Sequence, residues 1–255
     1  MLEKLTYSKA AVLIHGLCDE RVVWDRQVAA FQDSMNVITY DVRGFGASPV
    51  GAANGTVDQM ADDLAQIISA ANASPVWLVG FSMGGVISQR FALDFPDMVA
   101  GLVLVASSCV VGRPGVEYFE SRIELVEKGG LEAFRGIAME DGRGCIGNGD
   151  EALISEYQNV RINAVRDPEG YLNAGRAMLR LSAEPIIQDL GKIQKPTLVV
   201  AGDLDIYCPP KASQMIANAI PGSKLEIIQG AGHCMHWEQT EATNKLVSSF
   251  ILNHA

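Results

Sequence analysis

The chain passes from a strand to a helix through a single serine. Pro75-Val-Trp-Leu-Val79 is a short apolar run of the kind that forms a buried strand, and Val86-Ile-Ser-Gln-Arg-Phe-Ala-Leu93 reads as a helix. Between them stands Gly80-Phe-Ser-Met-Gly-Gly85. Glycine two residues before and two residues after Ser82 allows a turn so sharp that a larger side chain at either place would clash. Such a turn holds the serine in a strained conformation, with its hydroxyl above the edge of a sheet. It also places the serine at a helix N-terminus, where free N–H groups favour developing negative charge. This is the form of a nucleophile elbow, and it commits the chain to a sheet with helices packed against it.

The alternation of strand and helix extends in both directions. Apolar runs at 11–14, 36–40, 99–105, 197–200 and 225–228 read as further strands. Amphipathic stretches at 22–32, 57–71, 211–220 and 238–252 read as helices between and after them. In the second of these, Met60, Leu64, Ile67 and Ile68 recur at helical spacing, and Thr56 is placed to cap the first turn. Strands separated by helices imply a parallel sheet covered on both faces. Hydrophobic residues make up 48% of the 255, enough apolar material for such a core.

The pattern breaks between Gly112 and Pro185, where no buried strand is visible. Helical periodicity appears at 118–126, 131–139, 152–165 and 171–181, punctuated by glycines at 129–130 and from 142 to 149. The expected organisation is a core of residues 1–111 and 186–255 carrying a helical insertion over 112–185.

A serine hydroxyl needs a base within hydrogen-bond reach, and the base needs a partner that fixes its tautomer. Only four histidines are present. His15 ends the first clear strand and His254 is the penultimate residue. His236 falls at the start of the last helix. His233, in Gly230-Ala-Gly-His233, lies on the loop after the last strand, at the sheet edge where the elbow opens, and is the better base. The acid is expected at another strand end, where Gly202-Asp203-Leu204-Asp205 offers two carboxylates. Either choice gives the order Ser, Asp, His expected of α/β-hydrolases.

The chain resembles the α/β-hydrolase-fold enzymes over essentially its whole length. The matching motifs are His15-Gly16, Asp41-Val-Arg-Gly-Phe-Gly-Ala-Ser48, Gly80-Phe-Ser-Met-Gly84, Gly202-x-x-Asp205 with Pro209, and Gly232-His233. It is most similar to small capped carboxylesterases, enol-lactonases and perhydrolase-like members. The resemblance selects Asp205 over Asp203, and it places the oxyanion hole at the backbone N–H groups of Leu17 and Met83. Some members carry the acid one strand earlier, but Ala106-Ser-Ser-Cys109 holds no carboxylate there. Two departures stand out. The family usually has two strands before the His-Gly strand, whereas about ten residues precede it here, so a shortened and possibly all-parallel sheet is expected. Phe45 occupies a position that is usually histidine, near the site entrance.

The expected chemistry is hydrolysis of small to medium carboxylic esters through an acyl-enzyme on Ser82, with His233 as base, Asp205 as its partner and no cofactor or metal. Enol-lactonase and carbon–carbon bond hydrolase chemistry use the same triad and stay open, as does a non-enzymatic ligand receptor of this fold. Dehalogenase and epoxide hydrolase chemistry need a carboxylate at the elbow. Trp24, Phe45, Ile206 and Met235 flank the motifs and are candidates to line the acyl pocket. The arginines of the insertion read as solvated helix faces.

A formal net charge of −10 with no basic run argues against nucleic acid and anionic membrane as partners, leaving a small-molecule ester or lactone. No apolar run approaches the roughly 20 residues of a membrane span. The apolar run from Ala10 to Ile14 is too short for a signal peptide, and His15-Gly16 interrupts it. Five cysteines, odd in number and without zinc or redox spacing, fit reduced thiols in the cytoplasm. Oligomeric state has no signature in the sequence.

Overall fold

Six short apolar runs pair side by side, and their order decides where the chemistry collects. In the computed structural model, which describes residues 6–254, β1 (Ala10–Ile14) is followed by α1 (Asp25–Phe31) and β2 (Asn36–Thr39). Next come α2 (Val57–Ala71), β3 (Val76–Phe81), α3 (Met83–Asp94) and β4 (Val99–Val105). Three helices, α4 (Arg113–Cys145), α5 (Glu151–Arg161) and α6 (Pro168–Arg180), precede β5 (Thr197–Gly202). The remaining elements are α7 (Pro210–Ala219), β6 (Lys224–Ile228), α8 (Met235–Glu238) and α9 (Thr240–Asn253). Residues 1–5 and 255, the outermost parts of the expected core, lie outside the described residues.

The strands form one sheet in the order β2-β1-β3-β4-β5-β6, and every neighbouring pair is parallel. The all-parallel α/β arrangement expected from the sequence is the one that forms. Winding runs outward from β1 to β2, then reverses to β3 on the other side of β1. Ligands of open parallel sheets bind at the carboxyl ends beside such a reversal.

Alternate residues of each strand point to opposite faces, so each strand feeds two cores. Val12, Leu78, Leu102 and Val199 pack with Leu64 of α2 and Ile87 of α3 on one face. Leu13, Val79, Val103 and Val200 pack with Phe31 of α1 and Phe250 of α9 on the other. Burial on both faces explains why these strands read as unbroken apolar runs. Thr56 caps α2 as expected, accepting the N–H of Gln59 at 3.2 Å.

Element boundaries differ where short-range signals compete. The stretches at 118–126 and 131–139 belong to one helical segment, α4, broken at Gly130, whose φ of 57° and ψ of −140° are non-helical. The final helical stretch is split into α8 and α9 at Gln239. Among the described residues, no helix is long and apolar enough to cross a membrane.

Candidate active site

Ser82 joins the end of β3 to the start of α3 with φ 52° and ψ −115°. A non-glycine residue in such a conformation costs on the order of 1–3 kcal/mol and persists only where its surroundings enforce it. The enforcement is visible. A Cβ on Gly80 would lie 2.3 Å from Gly84 O, and one on Gly84 would lie 2.1 Å from Ile14 O. The Ser82 N–H donates to Val105 O at 2.9 Å, and Ser107 Oγ donates to Ser82 O at 2.9 Å. The elbow is therefore clamped by β1 and the end of β4, with its side chain left free of α3 capping.

Asp205 and His233 leave the ends of β5 and β6 and meet behind that serine. His233 Nδ1 and Asp205 Oδ2 are 2.8 Å apart. Asp205 Oδ1 accepts the N–H groups of Tyr207 at 2.8 Å and Cys208 at 2.9 Å, so the carboxylate is held at both oxygens. Burial disfavours the charged imidazole, but the Asp205 charge and hydrogen bond outweigh it and raise the His233 pKa above the ordinary histidine value. Asp203, the other candidate acid, is exposed and accepts the Ala231 N–H at 3.2 Å. Ser82 and His233 line the same cavity, without a hydrogen bond between Oγ and Nε2. Nucleophile–base contacts are often long before substrate arrives.

His236 is not placed to act as a base. It is fully buried between Trp24 and Phe81, neither ring nitrogen has a hydrogen-bond partner, and burial lowers its pKa to about 3. His15 is structural in a different way. Its Nε2 accepts the Val42 N–H at 2.9 Å, so Nδ1 carries the proton and donates to Gly16 O at 2.8 Å. This ties the loop after β1 to the Asp41-Val42 turn. Asp41 completes the tie by accepting the N–H groups of Arg21 at 2.8 Å and Ala47 at 2.9 Å. Leu17 and Met83, beside Ser82 on the cavity wall, both have backbone N–H groups without an acceptor among the described residues.

The cavity has a volume of about 700 Å³ and is walled on one side by α4, α5 and α6 through Tyr118, Asp141, Arg161 and Met178. Of the four residues expected to line an acyl pocket, only Ile206 does so, at 70% exposure. Trp24 and Met235 point into the core under α1 and α9. Phe45 is fully buried against His15, ring centroids 5.5 Å apart, so it packs behind the His-Gly loop rather than at an entrance. Proximity to a motif in sequence did not determine the direction of these side chains.

Arg161 corrects the expectation of solvated arginines. It is 4% exposed and reaches Asp19 Oδ1 at 3.3 Å and Tyr157 Oη at 3.2 Å. Tyr157 Oη donates to the same Asp19 oxygen at 2.8 Å. This buried cluster joins α5 to the loop that carries Leu17. Asp141 is likewise held by Tyr118 at 2.5 Å and Arg122 at 3.0 Å. Neither cluster has a local sequence signature. Ser107 does have one, because it lies two residues past the end of β4, at the sheet edge where the elbow opens.

Comparisons with known proteins place the chain among hydrolases. A family model, Hydrolase_4, described as serine aminopeptidase, S33, matches residues 7–240. A protein of Agrobacterium fabrum named as carbamate hydrolase RutD is 30% identical over 246 residues, 94% of this chain and 92% of that protein. The 3-oxoadipate enol-lactonase 2 of Acinetobacter baylyi is 27% identical, over 94% of this chain and 87% of the other. Among solved structures, a thermophilic esterase from Thermogutta terrifontis, with malate bound, superposes with a TM-score of 0.87 at 28% identity, covering 97% of this chain and 91% of that one.

Proposed function

The chain belongs to the Hydrolase_4 family, and on that premise we propose that it is a serine-dependent carboxylic ester hydrolase working through an acyl-enzyme. The observation that carries the reading is the 2.8 Å contact of Asp205 with His233, which shares a cavity wall with the strained Ser82. Ser82 Oγ attacks the acyl carbon while His233 Nε2 takes its proton. Asp205 keeps the Nδ1–H tautomer and stabilises the imidazolium. The acceptor-free N–H groups of Leu17 and Met83 receive the tetrahedral oxyanion, where one such donor is typically worth about 10²–10³ in rate. His233 then protonates the leaving alcohol. Water, deprotonated by the same histidine, cleaves the acyl-enzyme.

Helices α4–α6 act in this reading as a cap over the cavity, and a volume of about 700 Å³ suits a small to medium ester or lactone. A lactone opens by the same steps with the alcohol retained on the acyl chain.

The test is turnover of short-chain p-nitrophenyl esters and of a lactone panel, with labelling by a fluorophosphonate. Wild-type protein is expected to turn over many times and to label at one serine, and Ser82→Ala to lose both. An aminoacyl p-nitroanilide arm reports amide cleavage. Turnover that survives Ser82→Ala would sink the mechanism.

A further inference from the structure

Two cysteines sit where the helices of residues 113–180 touch the loop that carries His233. Cys145 is the last residue of α4, and Cys234 directly follows His233. The Cys234 N–H donates to Cys145 O at 3.0 Å. The seam continues beside them, where a Cβ on Gly232 would lie 2.4 Å from Gly147 N and 2.7 Å from Cys145 O. Glu238 fastens it from below, accepting the N–H groups of Asn148, at 2.8 Å, and of Gly232. A disulfide needs Cα atoms roughly 4.4–6.8 Å apart, a spacing that a direct backbone hydrogen bond between the two residues permits. Both side chains lie in the same buried cluster, and each thiol shifts the ionisation of the other.

Access and reactivity differ between the two. Cys145 is on the cavity wall at 2% exposure, whereas Cys234 is fully buried away from it. Burial opposes ionisation of Cys145, but the neighbouring Cys234 thiol and the charges of Arg161 and His233 prevail and lower its pKa. The Cys234 thiol is held well above the ordinary value, first by burial and then by Cys145. A reactive thiol beside a resolving one is the arrangement of an oxidation-sensitive pair. All five cysteines are free.

We propose that Cys145 and Cys234 form a hydroperoxide-responsive dithiol, whose conversion to a disulfide ties the end of α4 to the His233 loop and suppresses hydrolysis. The Cys145 thiolate attacks one oxygen of hydrogen peroxide, the O–O bond breaks, and the departing hydroxide takes up a proton to become water. Cys145 is then a sulfenic acid. The Cys234 sulfur attacks it, the S–O bond breaks, and the Cys234 proton leaves with the hydroxyl as a second water. Two thiols lose two electrons and one peroxide becomes two waters. Closing the pair to a bond of about 2.05 Å draws residue 234 towards α4, and His233 moves with its neighbour. A displacement of about 1 Å at a catalytic group can cost on the order of 10²-fold.

The loss of turnover rests on the reading of Ser82 and His233 given above, whereas the bond itself does not. The full-length protein is treated with hydrogen peroxide, blocked with N-ethylmaleimide under denaturing conditions and mapped by mass spectrometry. The expected result is a Cys145–Cys234 linked peptide with a mass loss of about 2 Da, at least a tenfold fall in ester turnover, and recovery of both in dithiothreitol. Cys234→Ala, compared with its own reduced activity, is expected to be much less sensitive to peroxide. Absence of the linked peptide, a link to Cys18 instead, or a linked protein with undiminished turnover overturns the proposal. If the reduced protein hydrolyses no ester at all, the functional reading fails, and the peptide map still decides whether the dithiol exists.

Discussion

Replacing Asp205 by Asn tests the triad geometry more sharply than removing it. The carboxylate accepts two backbone N–H groups at Oδ1 and faces His233 at Oδ2. An amide keeps the first arrangement only by presenting its NH₂ to His233 Nδ1. The ring must then accept at Nδ1 and carry its proton on Nε2, where it cannot take one from Ser82. Flipping the amide restores the tautomer but turns the NH₂ towards the N–H groups of Tyr207 and Cys208. Leaving two buried donors unsatisfied costs about 1–3 kcal/mol each. A total of roughly 2–6 kcal/mol corresponds to about 30-fold to 10⁴-fold in the population of the competent state, so kcat is expected to fall by that factor. The acid limb of the rate profile moves too. With His233 as the base, turnover is expected to decline as pH falls through its raised pKa. Without the Asp205 charge, burial dominates and the limb shifts to lower pH. Measurement of kcat/KM for a p-nitrophenyl ester across pH 5–9 gives both results. A loss below tenfold with an unmoved limb would refute the assignment of Asp205.

Two stability predictions accompany it. Arg161→Met leaves Asp19 buried without its cation, a loss of about 3–5 kcal/mol, or very roughly 6–20 °C in Tm for a domain of this size. Adding Asp19→Asn is expected to recover most of it in thermal melts, and simple additivity would show that the pair is not coupled. His236→Phe removes a histidine whose pKa is about 3 when folded against 6.5 as a free side chain. The unfolded chain binds that proton first, so stability from this group is complete above pH 6.5 and declines as pH falls towards 3. Denaturant titrations at pH 7 and pH 5 are expected to show the wild type losing about 2 kcal/mol more than the variant over that interval. Equal losses would mean that His236 is hydrated and titrates normally.

The parts of the site that depend on chain-local sterics were legible. The elbow needs glycine at 80 and 84 because a Cβ at either would meet backbone oxygen, and that requirement can be read in five residues. The place of His233 beside the elbow was legible, since its loop follows a strand of a parallel sheet. The exclusion of His236 came from its surroundings, two aromatic rings and no polar partner. Trp24, Phe45 and Met235 were misjudged as pocket residues because a side chain beside a motif can face either the cavity or the core, and the loop's path chooses. Arg161 was misjudged for the complementary reason. A charged residue on an amphipathic helix normally faces water, and only the carboxylate arriving from residue 19 makes its burial tolerable.

Strand and helix, their alternation and the serine's turn are consequences of sterics and periodicity over a few residues. The chain carries them wherever it goes. The meeting of Asp205 with His233 across 28 residues, of Asp19 with Tyr157 across 138, and of Cys145 with Cys234 depends on how the sheet brings distant loops to one edge. Those contacts exist only once the loops between them have closed and the helices have packed. Local propensity carries no record of them, and the closed structure decides both what the cavity admits and which thiols can meet.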